Sequence, residues 1–302
     1  MVQQTTFDRI YKQKLLDTFE YLVDFLNKNN LQWWAAYGTI IGAVRHGGII
    51  PWDDDIDIYM PVNDYYKLIS LHNDFSQESD GKYEVQHISI CPDYGTGFAK
   101  VMDMGTTIQT KRFIPYVKGV FVDIFPIYSS NDEINTILTC KKNVNEAWAN
   151  YFAYCRHYSL SDILKVGFSA RFLVKVVNTN LRVSARSKRK ALMKALMCDS
   201  KIRSNNFNDC RYCFSMFGLN TFKDIYKTSW FNGYKEVPFE GLTIRIPVGY
   251  HDLLTQIYGD YMTPPPENER VSRHQAYYVN LKERLTLKEI AERVKSGESL
   301  VY

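Results

Sequence analysis

The chain lacks several things that would narrow its role at once. No run of about 18 apolar residues occurs in its 302 positions, so no transmembrane helix is expected. The opening "MVQQTTFDRIYKQKLL" has no uninterrupted apolar core of the kind an export signal needs, which predicts a cytoplasmic protein with its six cysteines reduced. Cys210 and Cys213 form a lone C-x-x-C with no second pair at zinc spacing, so buried thiols are the expectation there. There is no GK[ST] after a glycine-rich turn, no GxGxxG and no GxSxG, which removes the Walker, dinucleotide and serine-hydrolase readings. There is no internal repeat and no low-complexity tract.

Positive charge is unevenly spread. Residues 163–198 hold nine Lys or Arg and no acid, including Arg186, Lys188, Arg189 and Lys190, while the whole chain is only +4. Apolar residues beside these charges resemble the stripe of a helix lying on an anionic membrane surface. The block matches no RNA-binding motif, so nucleic acid is not an expected partner.

Apolar spacing predicts a helix over 6–29, a buried strand in "LQWWAAY", a short helix over 39–46 and a second strand, "DDDIDIYM", entered after Pro51. Further strands are predicted at 83–90, 98–103 and 119–128. From 131 to 228 the pattern turns helical. The alternation of helices and strands predicts an α+β fold, divided into a catalytic core (1–130), a mostly helical basic segment (131–228) and a C-terminal segment that completes the site (229–302).

The chemistry concentrates in "GTIIGAVRHGGIIPWDDDIDIYM", residues 38–60. On a strand, Asp53, Asp55 and Asp57 would share one face while Ile56 and Ile58 pointed inward. Three like charges in a row repel, and a cation relieves that repulsion. All-oxygen donors favour Mg²⁺ or Mn²⁺ over zinc. A calcium loop is excluded, because Ile58 stands at the position that needs glycine and Asp64 where a bidentate Glu is required. Asp123 is the one charge inside the apolar run "VFVDIFPI", where an unpaired carboxylate is costly. A strand setting it beside Asp55 and Asp57 would complete a three-carboxylate site. Gly38 and Thr39 form a strand-to-helix turn able to present N–H groups to an anion, with Arg45, His46 and Lys100 as cations within reach.

A G[ST] turn followed by an hDhD strand and a third acid on a later strand resembles the nucleotidyltransferase fold of the polymerase-beta type, a mixed sheet with flanking helices. The fuller stretch "YGTIIGAVRHGGIIPWDDDIDIYM" resembles the signature of the LicD family of CDP-alcohol-dependent phosphotransferases. "AKVMDMGTT", "GVFVDIFPIY" and "IRIPVGYHDLLTQIYGDYMTPPPENERVSRH" resemble its later elements in order, so the likeness runs from about 31 to 274 with a variable helical insertion.

The resemblance implies transfer of a phosphorylated alcohol, phosphocholine first, from its CDP derivative to a hydroxyl of a glycan such as a lipopolysaccharide, capsule or teichoic acid. The acceptor could be lipid-linked and met at the inner face of the plasma membrane. Ethanolamine, glycerol or ribitol phosphate are the alternative groups, and an NTP-using nucleotidyltransferase the alternative reaction. It implies Asp55, Asp57 and Asp123 as catalytic and metal-holding residues with Asp53 assisting, Gly38, Thr39, Arg45 and Lys100 around phosphate, and His46, Trp52, Tyr258 and His274 near substrate.

Overall fold

A computed structural model describes residues 2–91, 94–155, 185–200, 206–218, 221–270, 276–298 and 300–301. Most of the basic block, and His274, lie outside them.

Helix α1 (Val2–Lys28) buries Leu15, Phe19, Leu22 and Leu26 on one stripe. Strand β1 (Trp34–Ala35) is only two residues long, and α2 (Tyr37–Ile41) follows at once, continuing as a π-helical turn over Gly42–His46. Gly47, in the left-handed region, ends that turn. Then come β2 (Asp57–Pro61), α3 (Val62–Ser70), α4 (His72–Glu78), β3 (Tyr83–Gln86), β4 (Ala99–Gln109) and the long central β5 (Lys118–Ser130).

The second strand is shorter than predicted. It begins at Asp57, and 51–56 is a turn and an irregular segment. Pro51 and a run of aspartates are poor strand formers, so pairing begins only where the apolar alternation does. The segment 131–228 also departs from its helical expectation. Besides α5 (Ile134–Tyr154) and α6 (Ala185–Ser200), it supplies β6 (Tyr212–Ser215) and β7 (Ile225–Lys227), which extend the main sheet from β5. Four- and three-residue strands are too short for a period-2 signal to stand out.

Among the described residues nine strands form one mixed sheet. Its main order is β1-β2-β5-β4-β10-β11, where β10 is Tyr278–Asn280 and β11 Leu300–Val301. The β2–β5 and β10–β11 pairs are parallel and the others antiparallel. The larger apolar cluster joins the sheet to α1, and a second cluster, with Trp148 and Tyr151, joins it to α5. No described helix is long and apolar enough to cross a membrane.

A hairpin of β8 (Tyr234–Phe239) and β9 (Leu242–Pro247) turns through Glu240 and Gly241, both with positive φ, as a two-residue primed turn requires. Its tip braces the segment before the acids. Glu240 N–H donates to Gly47 O at 3.0 Å, and Ile49 N–H donates to Glu240 Oε1 at 2.9 Å. A Cβ on Gly48 would meet that oxygen at 2.3 Å, so glycine is what admits the carboxylate. The helix α7 (Tyr250–Tyr258) follows, and α8 (Leu287–Lys295), opened by a Thr286–Glu289 capping box, lies near the end.

Candidate functional site

Three neighbouring strands converge on one point. The parallel register of β2 on β5 pairs Asp57 with Asp123, and the antiparallel register of β4 pairs Lys100 with Asp123. The Lys100 ammonium forms an ion pair with Asp123 Oδ1, both nearly buried. Asp57 is held by its backbone, because its N–H donates to Thr39 Oγ1 at 2.9 Å. Burial, then the charges of Asp55 and Asp123, push the Asp57 carboxyl well above the usual carboxylate range, with Lys100 opposing.

The irregular segment before β2 carries the other acids. Asp53, Asp54 and Asp55 each offer an oxygen within 4.8 Å of the other two, and all are half-buried. The expectation that Asp53, Asp55 and Asp57 line one face of a strand is therefore corrected. Asp53 and Asp55 reach the site from a loop, and Asp54, which alternation assigned to the other side, joins them. Ile56 and Ile58 are fully buried as expected.

The turn at Gly38 packs against this loop: a Cβ there would meet Asp53 Oδ2 at 2.8 Å. Thr39 is buried, with its hydroxyl serving Asp57. Arg45 points elsewhere, donating from Nη1 to Tyr261 O at 2.6 Å and from Nε to His46 Nε2 at 3.0 Å. Burial and the Arg45 charge hold His46 below the usual imidazole value. Trp52 lies with the Arg45 guanidinium 5.9 Å and the Arg270 guanidinium 5.3 Å from its ring centroid. Tyr258 ends α7 partly exposed, its phenol pushed up by burial, Tyr37 and the carboxylates Asp57 and Asp53.

A cavity of about 1030 Å³ opens beside these groups. Its lining mixes both signs: Asp8, Asp53, Asp54 and Asp123 with Arg9, Lys12, Lys100, Lys118 and Arg270, and Trp52 is also in its wall. Tyr11 of α1 lines it too, its phenol pushed up by burial and by Asp54, Asp55 and Asp123. The C-terminal residues Tyr277, Val279 and Leu300 close a further side.

Sequence reading missed Asp54, Tyr11, Lys118 and Arg270. Tyr11 fell within the helix predicted over 6–29, and Lys118 lay just before the strand predicted at 119–128, outside it. Arg270 ends the "TPPPENER" loop, which gave no sign of folding toward Trp52. The one available signal was the proximity of Lys118 to Asp123 in a strand that enters the site.

Comparison with known proteins gives a consistent picture. Residues 30–159 match the model of the LicD/FKTN/FKRP nucleotidyltransferase domain. The chain is similar to the lipopolysaccharide cholinephosphotransferase LicD of Haemophilus influenzae, 29% identical over 275 residues, spanning 86% of this chain and 92% of that protein. An uncharacterized protein of Rickettsia typhi is 38% identical over 85 residues, 27% of this chain and 26% of its own. The human ribitol 5-phosphate transferase FKRP is 40% identical over 50 residues, 17% of this chain and 10% of its own.

Proposed function

Residues 30–159 form a LicD-family domain, and on that premise we propose that this protein transfers a phosphorylated alcohol from its CDP derivative to a hydroxyl of a cell-surface glycan, releasing CMP. The observation that carries the reading is the meeting of Asp57, Asp123 and Lys100 on three adjacent strands beside a cavity large enough for a nucleotide ester. Phosphocholine is the favoured group, because the relative matched along nearly its whole length is named a cholinephosphotransferase. Ribitol phosphate is the alternative, on the shorter match to a ribitol 5-phosphate transferase.

The donor set fits a divalent cation. Asp53, Asp54 and Asp55 offer hard oxygens close together, and Asp57 and Asp123 add negative charge that burial makes costly. We assign Mg²⁺ or Mn²⁺ to Asp53, Asp54 and Asp55, whose oxygens are the ones that cluster among the described residues, with Asp57 and Asp123 beside them. Such an ion would offset the negative charge that grows on the phosphoryl oxygens during transfer.

The remaining work falls to the chain itself. Asp123 takes the proton of the acceptor hydroxyl, and its ion pair with Lys100 fixes the direction of its carboxylate. Tyr11, neutral at physiological pH, lines the cavity from α1 near Asp54, Asp55 and Asp123. Trp52 and Arg270 form the outer wall, where a flat ring and a planar cation can hold the ends of an extended ligand. Asp57, half-buried at the start of β2, stands beside Asp123 with its carboxyl held up by burial and by its acidic neighbours.

The test is nucleotide release from CDP-choline, CDP-ethanolamine, CDP-glycerol, CDP-ribitol and CTP, with Mg²⁺ and with EDTA. Mg²⁺-dependent CMP release from one CDP-alcohol, lost in Asp57→Asn, supports the reading. Pyrophosphate from CTP would replace it with a nucleotidyltransferase.

A further inference from the structure

Besides Lys12 of α1, the cavity is lined by two ammoniums of different standing, Lys100 and Lys118. Lys100 Nζ lies 3.7 Å from the centroid of Phe121 and 5.1 Å from that of Phe98, and its charge is balanced by Asp123. Lys118 is the first residue of β5, paired in register with Ile108 of β4, and its Nζ lies 5.3 Å from the same Phe121 ring. Among the described residues no carboxylate comes within ion-pair reach of Lys118. Both side chains line the same cavity.

A half-buried cation with no ion-pair partner among the described residues is costly, and proteins ordinarily pair or neutralise it. Burial and then the Lys100 charge push the Lys118 ammonium down to about 8, and the Asp123 charge only partly opposes them. The π-face of Phe121 gives some return, but the one ring serves two cations. A phosphate approaching from the cavity would supply the counter-charge.

We infer that Lys118 grips the phosphate groups of the donor, sharing them with Lys100 across the face of Phe121, so that the diphosphate end of the ligand lies against this wall. The assignment rests on the CDP-ester reading and deepens it. Because Lys100 stands over Phe98 and Phe121, those rings serve the protein's own cation and do not cage a quaternary ammonium of the ligand. The alcohol therefore projects away from the wall, toward Trp52 and Arg270 or out of the cavity.

The experiment is calorimetric titration of CDP and CDP-choline in Mg²⁺ into the wild type, Lys118→Met and Lys118→Arg, with melting temperatures of all three. Charge-assisted hydrogen bonds of this kind set the expected loss for Lys118→Met at about tenfold or more. Lys118→Arg should keep most of the affinity. Lys118→Met should melt no lower than the wild type, since it removes an unpaired charge and fits an apolar surround. Wild-type affinity in Lys118→Met would overturn the inference while leaving the donor reading intact. So would a lowered melting temperature together with no recovery in Lys118→Arg, which would mark Lys118 as a structural residue. A wild type that binds neither compound would overturn the donor reading and the inference with it.

Discussion

On the proposed function, Asp57 would serve transfer at the expense of stability. Its carboxyl is raised by burial and by Asp55 and Asp123, so the folded protein holds that proton more tightly than the unfolded chain does. The associated stability is complete below the ordinary carboxylate value of about 4 and is lost as pH rises through the raised one. Without metal, the melting temperature should therefore fall as pH increases above 4, and Asp57→Asn should flatten that decline while abolishing turnover. Thermal melts at a series of pH values in EDTA check it; an unchanged slope in the mutant would place the pH sensitivity elsewhere. Lys141 and Asp224 make a second case, buried together with their charges 3.6 Å apart. Burial outweighs attraction, pushing Asp224 up to about 6 and Lys141 down to about 8. Lys141→Met alone should cost about 3–5 kcal/mol by leaving Asp224 unpaired. Adding Asp224→Asn should recover much of that loss in a double-mutant cycle read by urea denaturation.

At the scale of elements, the loop 47–56 is what the site depends on, and it is held from outside. Glu240 at the hairpin tip bonds the backbone of Ile49, five residues before Asp54 and its neighbours. Glu240→Ala should lower activity several-fold and cost about 1 kcal/mol, the usual worth of one hydrogen bond. Activity unchanged would show that the loop holds its shape without the hairpin. Gly38→Ala should behave differently: its Cβ meets only the movable end of Asp53, so the fold should survive while the carboxylate shifts and metal-dependent activity falls. Much of this scale was legible in the sequence. The apolar run around Asp123 and the Gly38–Thr39 turn announced their elements, and the buried Ile56 and Ile58 fixed which way the chain faces. The strand limit at Asp57 was not legible, because aspartates in a loop and aspartates on a strand give the same letters. Nor was the bracing by Glu240, since a contact spanning 191 residues leaves no local pattern.

For the whole molecule, the sheet explains why distant segments share one cavity. β10 pairs with β4, which brings Tyr277 and Val279 into the lining of the cavity that α1 also reaches. That pairing joins residues about 170 positions apart, so sequence motifs could be ordered along the chain but not arranged in space. Within the basic block, Arg189, Lys190 and Lys194 of α6 are exposed. We expect this helix to carry the protein to an anionic membrane face, where a lipid-linked acceptor would be met. Co-sedimentation with vesicles rich in phosphatidylglycerol should be salt-sensitive and should weaken when these three are reversed to glutamate. Equal binding by the reversed protein would remove the membrane from the account.

The central claim is that Asp57 and Asp123 serve a metal-assisted transfer from a CDP-alcohol. The most direct test is CMP release from the CDP-alcohol panel by the wild type and Asp57→Asn, with Mg²⁺ and with EDTA. The account predicts CMP from one donor only with Mg²⁺, at a rate about a hundredfold or more lower in Asp57→Asn than in the wild type. Release that persists in EDTA or in Asp57→Asn, or pyrophosphate released from CTP instead, would contradict it.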